Sequence, residues 1–254
     1  MCVIGLQFDP ASAIRLRLAA NRDEFLNRQT LGAHWWPDSP TLFGGRDEVA
    51  RGSWMVLTTG GRVVALTNLR NTPPKRSDAP SRGSVVTRLA LASGPVESEL
   101  AQVGEESAEL AGFNLLVYDE GSPARRREPQ CFVLSNRGPR AGRPERLAPG
   151  LHGLGNDPLG TASPRIDQVI TAIDSSRGEP LSSARESILA HLRSPAFLRT
   201  RLADEPYGTR SSALVQINAD GSMSFDEWRW QTDPLHALLA NYRSTDLSPV
   251  GTPA

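Results

Sequence analysis

Apolar and polar residues alternate in two distinct rhythms along the chain. Residues 3–8 (VIGLQF) form a short apolar run closed by the turn pair Asp9-Pro10. In residues 14–21, Ile14, Leu16, Leu18 and Ala20 fall on one face, while Arg15, Arg17 and Ala19 fall on the other. That period of two predicts a strand, and the two runs predict an antiparallel hairpin. Its second strand ends in Asn21-Arg22-Asp23-Glu24, so hairpin pairing would bring this polar cluster level with Cys2. Residues 54–58 and 62–68 flank Gly60-Gly61 and predict a second hairpin, ending in Thr67-Asn68-Leu69-Arg70-Asn71. Strands are also expected at 113–118 and 131–134, and a last hairpin at 214–218 and 223–230 around Asp220-Gly221.

The second rhythm is helical. It covers 84–92, 97–103, 166–173 and 184–192, with a short piece expected at 235–242 before a Ser-, Thr- and Pro-rich tail that frays after about 243. Residues 25–53 follow neither rhythm, despite Trp35-Trp36-Pro37 and Gly44-Gly45, and are read as a long ordered loop of the kind usually kept for function. Hairpins interleaved with paired helices point to antiparallel sheets under helical outer layers, an α+β fold. No repeat and no long linker divides the chain, so 1–254 is read as a single domain.

Composition narrows the function classes. Lys+Arg and Asp+Glu both number 28, so nothing points to nucleic acid or a membrane surface. Lys75 is the lone lysine among 28 basic residues, a bias read as that of a GC-rich, bacterial genome. Two cysteines, Cys2 and Cys131, make no disulfide framework and fit a reducing cytoplasm. No run approaches the roughly 20 apolar residues of a membrane span, and the start lacks a basic leader. No phosphate loop, dinucleotide fingerprint or metal-ligand spacing is present; His34, His152, His191 and His236 are scattered, and Cys131 reads as core.

The chemistry-bearing feature is Met1-Cys2. A small second residue permits removal of the initiator methionine, which would give Cys2 a free α-amino group with a pKa of about 8 beside its thiol. Arg22 is a candidate to stabilise a thiolate and Asp23 to orient the new amine. Asn21 and Glu24 read as residues that tie the turn together. Trp35, Trp36 and Trp54 are pocket candidates that are as well explained by core packing.

Five blocks in order carry a resemblance: Met1-Cys2; Asn21-Arg22-Asp23-Glu24; Ala65-Leu66-Thr67-Asn68; Pro149-Gly150-Leu151-His152-Gly153-Leu154-Gly155-Asn156; and Tyr207-Gly208-Thr209-Arg210-Ser211-Ser212. Together they resemble the NRDE, or Transport and Golgi organisation, family. Two departures are Gly155, where that family usually has Ser, and Thr161-Ala162-Ser163-Pro164-Arg165, where it usually has a Pro-Trp-Pro segment. The resemblance implies a four-layer αββα sandwich of the N-terminal-nucleophile hydrolase type. It also implies that Asn68 and Asn156 donate to an oxyanion and that a late arginine, Arg210, lies close to the Cys2 thiol. The expected function is an N-terminal cysteine amidohydrolase acting on a small non-peptide amide or a thioester, with no cofactor required. The alternative is a non-catalytic protein that binds or traffics haem or an acyl lipid on the same scaffold. The expected partner under either is a small molecule.

Overall fold

A computed structural model describes residues 2–74, 76–121, 127–193, 200–202, 205–232 and 237–247, with backbone alone for 200–202, 231–232 and 237–247. Among the described residues fourteen strands, β1 (Val3–Phe8), β2 (Ile14–Phe25), β3 (Thr30–Trp36), β4 (Ser39–Asp47), β5 (Met55–Thr58), β6 (Arg62–Asn68), β7 (Phe113–Asp119), β8 (Gln130–Ser135), β9 (Glu145–Arg146), β10 (Gly150–Leu154), β11 (Thr200–Leu202), β12 (Glu205–Asn218), β13 (Met223–Thr232) and β14 (Ala237–Leu247), build two antiparallel sheets. The first sheet runs β10-β1-β2-β12-β13-β14, with β11 pairing β12. The second runs β3-β4-β5-β6-β7-β8-β9. Helices α1 (Gly83–Leu91) and α2 (Val96–Glu106) cover the second sheet, and α3 (Pro164–Ser175) and α4 (Leu181–Leu192) cover the first.

Period-two alternation is what makes four layers. On β6, Val63 and Ala65 join the core between the sheets, while Val64 and Leu66 join the core under α1 and α2. On β7 the same split separates Leu116 and Tyr118 from Leu115 and Val117. In the first sheet, Leu18 and Val215 face the other sheet, whereas Ala19 and Leu214 face Val169, Ile173 and Ile188 of the helices. A strand covered on both faces has no polar side, so three stacked apolar cores result. The αββα sandwich expected from the resemblance is the architecture observed.

Close approach of α3 requires two glycines. Gly5 of β1 pairs with Gly153 of β10. A Cβ on Gly5 would lie 2.7 Å from Val169, and one on Gly153 would lie 2.2 Å from Ile166. Gly153 lies within strand β10.

Two expectations are corrected. Residues 30–47 are not an irregular loop but the β3–β4 hairpin. Leu42 faces the helix-side core, Phe43 the central core, and Leu42 to Gly45 are all buried, so no alternation survives to be read. The C-terminal helix is also absent: 237–242 belong to β14, which pairs with β13 and reaches Leu247, past the expected start of a frayed tail. Residues 235–236 and 248–254 lie outside the described residues. Leu235, Leu238 and Leu239 have helical spacing, but the open edge of β13 supplies a ladder that overrides it.

Candidate active site

The β1–β2 register places Val3 opposite Asn21, so Cys2 comes level with Arg22 and Asp23, as the hairpin reading expected. Cys2 is 8% exposed and its Sγ lies 3.8 Å from the Asp23 carbonyl oxygen, as donor. It forms part of the wall of a cavity of about 730 Å³ that Arg22, Glu24, Trp54, Leu66, Asn68, Arg70, Arg82, Asn156 and Tyr207 also line. Burial pushes the Cys2 thiol above its ordinary value; Asp23 adds to this, and Arg22 opposes it without prevailing. The lowered thiol pKa expected from neighbouring arginines is therefore corrected. Cys2 rests as a neutral thiol, and a thiol in that state takes up nucleophilic chemistry only with a base at hand.

Arg22 is 6% exposed and spread over the Trp54 ring, 4.0 Å from its centroid. Its Nη2 is 3.5 Å from Glu24, and burial pulls its pKa down. Trp54 can reach this position because Gly45 leaves room: a Cβ there would sit 2.2 Å from the indole. Of the three tryptophan candidates, Trp54 alone lines this cavity. Trp36 is core, its indole N–H donating to the Gly44 carbonyl at 3.1 Å, and Trp35 packs edge-on against Phe43.

Asp23 is held from both sides. Its Oδ1 accepts from the Thr209 hydroxyl at 2.7 Å, and its Oδ2 pairs with Arg165 at 2.6 Å. Its backbone carbonyl also accepts from the Tyr207 hydroxyl at 2.9 Å. Thr209 and Tyr207 lie inside one of the five blocks. Arg165 comes from the segment that departs from the family pattern, and nothing in the sequence connects it to Asp23.

Asn68 ends β6, and Asn156 follows β10. The Asn156 amide donates to the Asn68 carbonyl at 2.7 Å, and the Arg70 N–H donates to the Asn156 carbonyl at 3.0 Å. Thr67 and Asn114 both donate to the Gly155 carbonyl. These bonds lace the two loops together and set both asparagines on the cavity wall. An amide nitrogen carries two N–H groups, so Asn156 keeps one after this bond.

Arg210 goes elsewhere. Between Thr209 and Ser211 the β2–β12 register slips, and Arg210 is the extra residue of this bulge. Its Nη1 donates to the carbonyls of Phe25, Leu26 and Arg28 at 3.0, 2.8 and 3.1 Å. It closes the backbone beyond β2 and is not among the cavity residues, so the proximity to the thiol that the resemblance implied is corrected. Arg82, by contrast, was not singled out by the sequence. It lies within electrostatic reach of Cys2 and Glu24 and is anchored by donation to the Gly112 carbonyl at 2.9 Å.

Of the remaining candidates, Asn21 is structural as expected: it donates to Leu192 O and accepts from Ser212. Cys131 is fully buried core, its thiol pushed up by burial. His152 bonds the Ala148 carbonyl at 2.8 Å, and His236 lies outside the described residues.

The Transport and Golgi organisation 2 family matches residues 1–188. The chain belongs to that family. A bovine relative, Transport and Golgi organization protein 2 homolog, is 31% identical over 273 residues, covering 91% of this chain and 97% of its own. The human homolog is 30% identical, covering 89% and 92%. These relatives, with others from mouse and fruit fly, are animal proteins, which overturns the bacterial reading of the arginine bias. In fold, the chain is similar to a variant of conjugated bile acid hydrolase from Clostridium perfringens. The TM-score is 0.54 at 8% identity, with 96% of this chain and 92% of that one covered, a likeness of architecture alone.

Proposed function

We propose that the protein is an N-terminal cysteine hydrolase acting on a small non-peptide amide or a thioester. The observation that carries this reading is the buried Cys2 thiol in the wall of the cavity, beside Arg22 and Asp23 and in a wall shared with the asparagine pair. Because burial keeps the thiol protonated, attack requires a base, and the α-amino group freed by loss of Met1 is on the same residue. In the first step the sulfur bonds to the carbonyl carbon, and the thiol proton passes to the α-amine. The negative charge on the former carbonyl oxygen is met by N–H groups of Asn68 and Asn156. Collapse breaks the C–N or C–S bond, the α-ammonium returns its proton to the leaving group, and water then releases the acyl group from Cys2. Asp23 keeps the amine oriented, as carboxylates orient catalytic bases elsewhere.

The test is mass spectrometry of the native protein followed by a panel of acyl amides and thioesters, with Cys2→Ala as control. Intact Met1, or turnover that persists in Cys2→Ala, would sink the reading.

The second reading, binding without catalysis, rests on the apolar stretch Trp54, Leu66, Leu69 and Phe25 of the same wall. An acyl lipid held there would bind Cys2→Ala as well as the native chain. For haem the donor set is a poor fit: among the described residues the wall has no histidine, Cys2 is a protonated thiol, and the Tyr207 hydroxyl is already committed to Asp23. A haem titration with no Soret shift disposes of that version. Among the described residues no helix is long and apolar enough to cross a membrane. We place the protein in the reducing cytoplasm on its two free, buried cysteines.

A further inference from the structure

The cavity around Cys2 carries an uneven set of charges. Arg22, Arg28, Arg70 and Arg82 line it with Glu24, Asp47 and Glu205. Arg28 is matched by Asp47 at 2.8 Å, and Arg22 by Glu24 at 3.5 Å. That leaves Arg70 and Arg82 with no ion pair among the described residues, although Arg82 also feels Glu24, and Glu205 is the remaining acid of the wall. Arg82 is held in place by one bond to the Gly112 carbonyl, which leaves the rest of its guanidinium fork for the cavity. Arg70 stands exposed at the rim, two residues beyond Asn68. Helix α1 begins in the same wall, at Ser81, Arg82 and Gly83, and its first turn holds no acidic residue, so its positive end is not neutralised from within. Deeper in, Arg22 Nη1 is sealed from solvent and has no hydrogen-bond partner among the described residues. A buried, unpartnered cationic donor in a ligand-sized cavity is the kind of exception that asks for a partner.

These features meet one chemistry: a group with several anionic oxygens. A guanidinium fork takes a carboxylate or a phosphate through two parallel bonds. We propose, building on the reading of Cys2 as the nucleophile, that the amide or thioester substrate carries a carboxylate or phosphate. Arg82 and Arg70 hold this anion near the start of α1, and its acyl part lies along Trp54, Leu66 and Leu69 toward Cys2.

Binding is to be measured by calorimetry on the full-length Cys2→Ala protein, so that turnover cannot interfere. The probes are N-octanoylglycine, N-octanoyl-O-phosphoethanolamine and the uncharged N-octanoylglycinamide. At least one anion is expected to bind about tenfold or more tighter than the uncharged probe, the scale of a charge-assisted pair. Raising the salt should shrink that advantage, and so should Arg82→Gln and Arg70→Gln. The order of the two anions separates a carboxylate from a phosphate site. Arg70 is exposed, so its variant tests the idea even if Arg82→Gln fails to fold. Failure of both anions to bind, equal affinity for all three probes, or an advantage untouched by the arginine substitutions overturns the proposal. Cys2-dependent turnover with no preference for anionic substrates would overturn it while leaving the nucleophile reading intact. Anion binding without any turnover would do the reverse.

Discussion

The carboxylate of Asp23 meets the guanidinium of Arg165 at 2.6 Å, joining the end of β2 to the first turn of α3. Asp23 is 4% exposed, so this pair sits where losing one partner is costly. Arg165→Ala takes the guanidinium away from a buried carboxylate and is expected to lower stability by about 3 kcal/mol. Urea unfolding measures it, and Arg165→Lys should recover part of the loss. A change below about 0.5 kcal/mol, the range of an ordinary surface substitution, would show that the pair is not what holds Asp23.

Cys2 should be a slow nucleophile at neutral pH while Met1 is attached. Burial raises its thiol pKa, so the thiolate fraction grows only above the roughly 8.5 of a free thiol. Iodoacetamide labelling of Cys131→Ser protein, followed from pH 6 to 10 by mass spectrometry, should rise throughout that upper range; a plateau reached below pH 8 would contradict it. The sign carries to stability. The fold holds this proton more tightly than the unfolded chain does, so the contribution is present below the unfolded thiol pKa and is lost as pH climbs through the folded one. Chain whose Met1 has been removed should label faster near neutrality, because the α-amine then sits beside the sulfur.

Arg210→Ala is expected to be a stability variant and not an activity variant. Its guanidinium satisfies three carbonyls beyond β2, and their loss should cost about 2 kcal/mol in thermal or urea unfolding. The pH profile of Cys2 labelling should stay where it is. A shift of that profile would put Arg210 back beside the thiol.

The parts of the site that were legible in the sequence are those fixed by local pairing. Cys2, Arg22 and Asp23 come together because a short hairpin with clear alternation can register in one way. Asn68 and Asn156 carried a motif signal, although the bond between them spans 88 positions. Arg82 and Arg165 carried none: each sits where a helix begins, and its role depends on how that helix packs on its sheet. Arg210 was misplaced because a single bulge residue in β12 turns its side chain to the backbone beyond β2, and a bulge leaves no mark in the hydrophobic pattern. The β3–β4 hairpin was hidden for the opposite reason. Both faces of β4 are buried, and alternation is visible only when one face is wet.

Gly5 and Gly153 should tolerate even a methyl group poorly. Each faces a side chain of α3 at a distance no Cβ normally reaches, so alanine must push Val169 or Ile166 aside. Gly153→Ala is expected to cost about 1–3 kcal/mol by overpacking. The larger effect is expected at Gly153, where the approach to Ile166 is the closer. Chemical denaturation of both single variants checks the order, and an unchanged midpoint for Gly153→Ala would mean that α3 can slide away at no cost.

The asparagine pair separates an oxyanion role from a scaffolding one. Asn68 lines the cavity, and the group that receives the Asn156 amide is its backbone carbonyl. Asn68→Ala therefore keeps that bond and removes only a donor, so it should lower kcat by about 100-fold or more with stability nearly unchanged, the usual cost of one oxyanion donor. Asn156→Ala removes both the donor and the latch. It should lower kcat by a similar factor and also cost about 1 kcal/mol of stability. Both effects belong to kcat and not to KM, because the charge being met exists only once the sulfur has attacked. Steady-state kinetics on any substrate the panel yields, paired with unfolding of the two variants, decides the matter. If Asn68→Ala raises KM and leaves kcat alone, its amide binds the ground state and the oxyanion must be met by other donors in the wall.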